Sequence, residues 1–233
     1  MKIVDVKEIF KGVYILVDDL GTERLATRNL VPKISVYGER LFNYQGTEYR
    51  EWIPYRSKLA AAIINGLENL RISEGDRILY LGIASGTTAS HISDIIGPKG
   101  IIYGVEFAPR PIRDLVAVAQ NRRNIVPLLK DARKPYEYAY IIGENVDGIY
   151  MDIAQPDQAD IFIRNCKMFL KPNGYGFIAI KARSIDVARP PEEIFKEQRR
   201  ILEIHGFEVE EEIRLDPYAK DHVMFVGKWR GQS

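Results

Sequence analysis

From Asp76 onward the chain alternates short, apolar, β-branched runs with stretches of helical spacing, and this alternation restricts its fold more than any other feature. The runs Arg77 to Leu81, Ile101 to Val105, Ile125 to Leu128, Val146 to Met151 and Phe177 to Ile180 read as strands. Thr87 to Ile96, Pro111 to Asn121, Asp157 to Leu170 and Pro191 to His205 read as helices, with proline near the start and glycine just past the end in several, as at Gly97 and Gly206. Strands separated by helices need crossover connections, and near-continuous apolar strands suit a parallel sheet covered on both faces. The rhythm changes at the end. Phe207 to Leu215 and His222 to Lys228 are strand-like, but the segment around Asp216-Pro217-Tyr218 is too short for a crossover and predicts an antiparallel pair at or beside the sheet edge.

Residues 1–52 carry no helical period. Their β-type runs, Gly12 to Val17, Arg24 to Thr27 and Leu41 to Trp52, are broken by turn signals at Asp18-Asp19-Leu20-Gly21 and Gln45-Gly46. A small β-rich N-terminal domain over 1–52 and a larger domain over 53–233 are therefore expected. At their junction Leu59, Ala62, Ile63, Gly66 and Leu67 share one helix face, with Ser57 as N-cap. No run of about 18 apolar residues is available to span a membrane, and the secretory pattern is missing from the N-terminus. A lone cysteine, Cys166, forms no intrachain disulfide and reads as a buried thiol in a reducing compartment. With 33 basic and 32 acidic side chains, the net charge of +1 argues against holding nucleic acid by global electrostatics.

The first strand runs into Leu81-Gly82-Ile83-Ala84-Ser85-Gly86-Thr87-Thr88, small residues that open a helix. Gly82 and Ala84 let the backbone approach a ligand, and the free amides of a helix start face it. Glu106 ends the second strand, where an acid accepts both hydroxyls of a ribose. Asp131, in Lys130-Asp131-Ala132, and Asp152 follow the third and fourth strands. Carboxylates there suit an adenine amino group and a sulfonium and repel a pyrophosphate, which favours S-adenosylmethionine over a dinucleotide. No metal-ligand spacing appears, and no metal is expected. On these residues alone, a small-molecule methyltransferase and a non-catalytic interaction subunit remain open.

The string Tyr80-Leu81-Gly82-Ile83-Ala84-Ser85-Gly86-Thr87-Thr88-Ala89-Ser90-His91-Ile92-Ser93-Asp94 closely resembles the signature of fibrillarin. So do Gly104-Val105-Glu106-Phe107-Ala108, Met151-Asp152-Ile153-Ala154-Gln155-Pro156, Ile180-Lys181-Ala182-Arg183-Ser184 and Pro217-Tyr218-Ala219-Lys220-Asp221-His222. The resemblance covers essentially the full chain. It implies an RNA 2′-O-methyltransferase with a Rossmann-like, seven-stranded, mainly parallel sheet and a small N-terminal β domain. It also implies a cofactor site using Thr87, Thr88, Glu106, Phe107, Asp131, Ala132, Asp152 and Gln155, in which the Phe107 stacking on adenine and the part of Gln155 come from the resemblance alone.

The same resemblance implies a catalytic set of Lys58, Asp152, Lys181 and His222. Lys181 would meet the ribose hydroxyl as a neutral base or as a stabilising ammonium, and His222 would orient a lysine or relay the proton. Fibrillarins work in a box C/D ribonucleoprotein, with a guide RNA paired to its rRNA or tRNA target, a Nop-domain scaffold and a kink-turn-binding ribosomal-type protein. A chain that begins at its β domain, without a glycine and arginine-rich tail, resembles the archaeal form, and with that resemblance a cytoplasmic location is expected. Seven basic residues against two acidic ones between Arg110 and Lys134, joined by Lys181, Arg183 and Arg189, would track RNA phosphates, and nothing reads bases. Exposed strands of the N-terminal domain offer edges for a homodimer. His91 and His205 read as structural.

Overall fold

A computed structural model describes residues 2–143 and 145–231. Five strands come first, β1 (Ile3–Phe10), β2 (Val13–Asp18), β3 (Glu23–Arg28), β4 (Leu41–Tyr44) and β5 (Thr47–Glu51), in an antiparallel sheet of order β1-β2-β3-β5-β4. Local chemistry makes the turns. The Asp18 carboxylate accepts the Leu20 and Thr22 amides at 3.0 and 2.9 Å, and Gln45 and Gly46 both take positive φ, as a two-residue hairpin requires. β1 was not expected from the sequence. It is an edge strand on which Ile3 is the one fully buried residue, so it carries little apolar alternation.

α1 (Lys58–Ile64) follows, with the Ser57 hydroxyl accepting the Ala60 amide as N-cap. The helix stops sooner than the sequence suggests. Gly66 adopts a φ of +103°, and the Asn65 side chain turns to the Arg214 and Asp216 carbonyls, at 2.8 Å each, so Gly66 and Leu67 lie beyond it.

The second sheet is built from β6 (Arg77–Leu81), α2 (Thr87–Ile96), β7 (Ile101–Glu106), α3 (Pro109–Asn121), β8 (Ile125–Leu129), α4 (Ala139–Ile142), β9 (Val146–Asp152), α5 (Gln158–Phe169), β10 (Leu170–Lys181), α6 (Ala182–Ile185), α7 (Pro191–Ile204), β11 (Phe207–Arg214) and β12 (His222–Trp229). Its order is β11-β12-β10-β9-β6-β7-β8, with β12 antiparallel to both neighbours and the other pairs parallel. The C-terminal strands thus form the expected antiparallel pair, with β11 at the edge. β10 begins earlier than expected, because the polar start Lys171-Pro172-Asn173 hides its strand character. Strand order reverses between β6 and β9, and at such a switch point the carboxyl ends of an α/β sheet leave a crevice.

Successive residues of β6 serve opposite faces. Ile78 and Tyr80 join one core with α1 and α2, while Leu79 and Leu81 join the other with α5 and α7. Val13, Leu25 and Trp52 carry the first core into the N-terminal sheet, which also has a small cluster of its own around Leu16, Phe42 and Tyr49.

A buried polar network completes the junction. Asp94 of α2 pairs with Arg122 at 2.6 Å and Arg50 at 3.4 Å, and Arg50 also pairs with Glu39 at 2.9 Å. The Thr27 hydroxyl donates its one proton to Asp94, so the His91 Nδ1–H donates to Thr27, each at 2.7 Å. Burial and the two arginines push the His91 pKa well down, and its neutral ring stacks on Trp52. Cys166 is buried and its thiol is pushed up by desolvation. His205 caps α7 through Ile201.

Candidate active site

The loop from β6 to α2 presses against the tip of β9. Gly82 has a φ of +76°, and a Cβ there would lie 2.3 Å from the Asp152 carbonyl oxygen. Gly86, also left-handed, caps α2 where a Cβ would meet Leu115 at 2.7 Å. The chain folds this way because glycine at both points removes the side chain that would hold the two segments apart.

Glu106, the last residue of β7, is nearly buried and accepts the Ala84 amide at 3.1 Å and the Ala108 amide at 2.9 Å, one on each carboxylate oxygen. Each oxygen keeps a lone pair, which matches the two hydroxyls of a ribose. The next residue, Phe107, is 62% exposed, unusual for so large an apolar ring at a strand end. Asp131 is gripped by Arg133, whose Nε donates to both carboxylate oxygens at 3.0 Å and whose Nη2 donates to one at 2.7 Å, which holds its carboxyl below the usual range. These groups, with Gly82, Ala84, Ala132, Gln155 and Asp152, wall a cavity of about 270 Å³.

Thr87 and Thr88 are not in that wall. Thr87 faces a groove beside Tyr37 and Asp114. The Thr88 hydroxyl donates to Ser57 at 2.9 Å and faces a second cavity.

This second cavity, about 310 Å³, is lined by Lys58, Asp152, Lys181 and His222 together with Tyr55 and Tyr218. All four residues of the expected catalytic set therefore meet in one groove, although they come from α1, β9, β10 and β12. Lys58 reaches both Asp152 oxygens, at 2.9 and 2.7 Å. Lys181, last in β10, is exposed and stands opposite His222, first in β12, in the antiparallel register. The His222 Nδ1 lies 2.7 Å from the Lys220 carbonyl, which only accepts, so Nδ1 carries the proton and Nε2 offers a lone pair. Burial lowers the His222 pKa below its ordinary 6.5, and the cations of Lys58 and Lys181 act in the same direction. Among the described residues, Asp152 is the one that lines both cavities.

Several basic residues are already engaged. Arg122, part of the stretch expected to track phosphates, is buried on Asp94. Arg183 pairs with Asp221 and Arg189 with Glu197, whereas Arg110 and Arg113 are exposed on α3.

Sequence reasoning missed two buried amides on α5. Asn165 donates to the Ala132 carbonyl at 2.9 Å and so fixes one wall of the first cavity, and Gln158 bonds to Gln155 and Lys181. The available signal was a polar residue at each end of an i, i+7 spacing on the face carrying Ile161 and Phe162.

The fibrillarin family model matches residues 4–231. A fibrillarin-like rRNA/tRNA 2′-O-methyltransferase of Aeropyrum pernix is 55% identical over 232 residues, covering 99% of each chain. Among solved structures, Aeropyrum pernix fibrillarin in complex with natively bound S-adenosyl-L-methionine superposes with a TM-score of 0.90 at 55% identity, covering 97% of this chain and 99% of that one. The fibrillarin of a fibrillarin/Nop5p complex superposes with a TM-score of 0.85 at 43% identity, covering 96% and 100%.

Proposed function

The chain belongs to the fibrillarin family, and on that premise we propose that Lys58, Asp152, Lys181 and His222 direct a methyl group from S-adenosylmethionine onto a ribose 2′-hydroxyl of RNA. It is an S-adenosylmethionine-dependent rRNA/tRNA 2′-O-methyltransferase, and a Nop-domain scaffold is its protein partner. The guide RNA, the kink-turn-binding protein and pairing of two chains through the N-terminal sheet belong to the proposal. So do the division into 1–52 and 53–233 and action in the cytoplasm, where a lone buried thiol such as Cys166 stays reduced.

The first cavity suits the cofactor on its own chemistry. Glu106 offers two acceptor oxygens to a ribose, Phe107 an exposed ring to adenine, and Gly82 the space that a Cβ would fill. When bound there, S-adenosylmethionine supplies an electrophilic methyl group on a positively charged sulfur that leaves as a neutral thioether. Asp152 presents its carboxylate to that side while Lys58 fixes its orientation from the other. In the groove, Lys181 contacts the hydroxyl oxygen and stabilises the negative charge that develops on it. His222, neutral at physiological pH, takes the proton on Nε2. Alignment of the two reacting atoms supplies roughly 7 to 11 kcal/mol of the barrier in favourable cases, more than proton transfer contributes.

The observation that carries this reading is the position of Asp152 in the wall between the two cavities. Reconstitution with labelled cofactor, scaffold, kink-turn protein and guide tests it. Label is expected on one ribose and should move by one nucleotide when the guide is shifted by one. Lys181→Ala should abolish transfer and leave cofactor binding intact, and near-normal turnover would refute its role. Robust site-specific methylation by the lone chain would refute the need for the particle.

A further inference from the structure

β9 pairs with β10 as far as Asp152 opposite Ala179, and β10 then runs on to Lys181 with β12 as its remaining strand neighbour. On the side that β9 has vacated, the Lys181 N–H and C=O lack a strand partner, and buried backbone groups are seldom left unpaired. The side chain of Gln158 fills the gap. Its Oε1 accepts the Lys181 amide at 2.9 Å, and its Nε2 donates to the Lys181 carbonyl at 3.2 Å. The same Nε2 donates to the Gln155 carbonyl at 2.8 Å. Gln158 is fully buried, and its amide uses the acceptor and the donors it has. It stands where the next peptide of β9 would stand, and it ties one residue of the cofactor cavity to the residue that carries the groove's exposed ammonium.

We propose that Gln158 is a positioning residue for methyl transfer: its side-chain amide continues the β9 ladder and so fixes the base of Lys181 relative to the cofactor cavity. The inference rests on the reading that Lys181 meets the acceptor hydroxyl. A lysine side chain is long and flexible, so the placement of its Nζ depends on where its Cα is held. Of the groups that hold the Lys181 backbone on this side, Gln158 is one that belongs to neither strand nor loop of the groove. It starts α5, a twelve-residue helix buried along one face.

The test compares Gln158→Met, which keeps length and packing without the bonds, with Gln158→Glu and with Lys181→Ala, all in the assembled particle. Single-turnover methyl transfer, cofactor affinity by calorimetry and thermal melting are read on each. Because a misplacement of about 1 Å can cost on the order of 100-fold, Gln158→Met should slow transfer by about 10-fold to 100-fold at saturating cofactor, while cofactor affinity changes far less. Gln158→Glu should recover activity as pH falls, since its protonated acid regains one donor, whereas the ratio of Gln158→Met to wild type stays flat. A merely structural glutamine would lower the melting temperature and leave the rate per bound cofactor unchanged. That result, with Lys181→Ala inactive, overturns the inference, as does a flat pH ratio for Gln158→Glu if the Met variant does not fold. Activity in Lys181→Ala would instead overturn the underlying reading.

Discussion

Replacing Gly82 by alanine should separate the contribution of one backbone contact from that of backbone strain. The position has a φ of +76°, where a side chain costs about 1 to 2 kcal/mol. In a chain of this size that strain lowers Tm by about 2 to 8 °C. The added Cβ also falls 2.3 Å from the Asp152 carbonyl oxygen and 2.9 Å from Ile153. Its obstacle is main chain and cannot rotate aside, so restoring a contact of roughly 3.5 Å displaces the tip of β9 by about 1 Å. Asp152 moves with it, and a shift of that size at reacting groups costs on the order of 100-fold in rate. Gly46→Ala is the control. Gly46 has a φ of +81° at a hairpin tip with nothing within 4 Å, so it carries the strain without the clash. Single-turnover transfer in the reconstituted particle, cofactor calorimetry and melting curves should show both variants destabilised, Gly82→Ala the more because of its clash, and Gly82→Ala alone impaired in binding and transfer. Equal turnover in the two would refute the claim that the β6–α2 loop sets the position of Asp152.

Asp94→Asn removes the carboxylate shared by Arg50 and Arg122 while preserving shape. Leaving buried guanidinium charge unpaired costs about 3 to 5 kcal/mol, so Tm should fall by about 6 to 20 °C, and a calorimetric change of only a degree or two would contradict the burial argument. In the pH profile of single-turnover transfer, the acid limb should lie below 6.5, because burial and two lysines hold the His222 pKa down. Protonation on lowering the pH removes the Nε2 lone pair, so activity falls in that direction. The limb should vanish in His222→Asn, and a limb that persists there belongs to another group.

What the sequence made legible follows from how each residue acts. α2 was read with its observed bounds because both ends carry chemical punctuation, Gly86 before Thr87 and Gly97 after Ile96. The inner strands of the second sheet were visible because they are apolar on both faces, and the edge strand β11 because it alternates apolar and charged residues. β1 and the first half of β10 were not, since edge position and a Lys171-Pro172-Asn173-Gly174 stretch remove that signal. Glu106, Asp131 and Asp152 were legible as candidates from strand ends alone, and Lys58, Lys181 and His222 through resemblance, as no local pattern brings three separate elements to one groove. Arg122 counted as positive charge in a basic run, and only its pairing with Asp94 turns it into an internal strut.

α2 has a consequence for the chain as a working part of a larger particle. In ten residues it reaches the groove of Lys58, Lys181 and His222 at Thr88 and bolts onto the first sheet through Ser90, His91 and Asp94. A body that grips that sheet therefore holds the groove by the same handle. A load placed on one is carried to the other through the hydrogen bonds and ion pairs of a single ten-residue helix, so sheet and groove turn together.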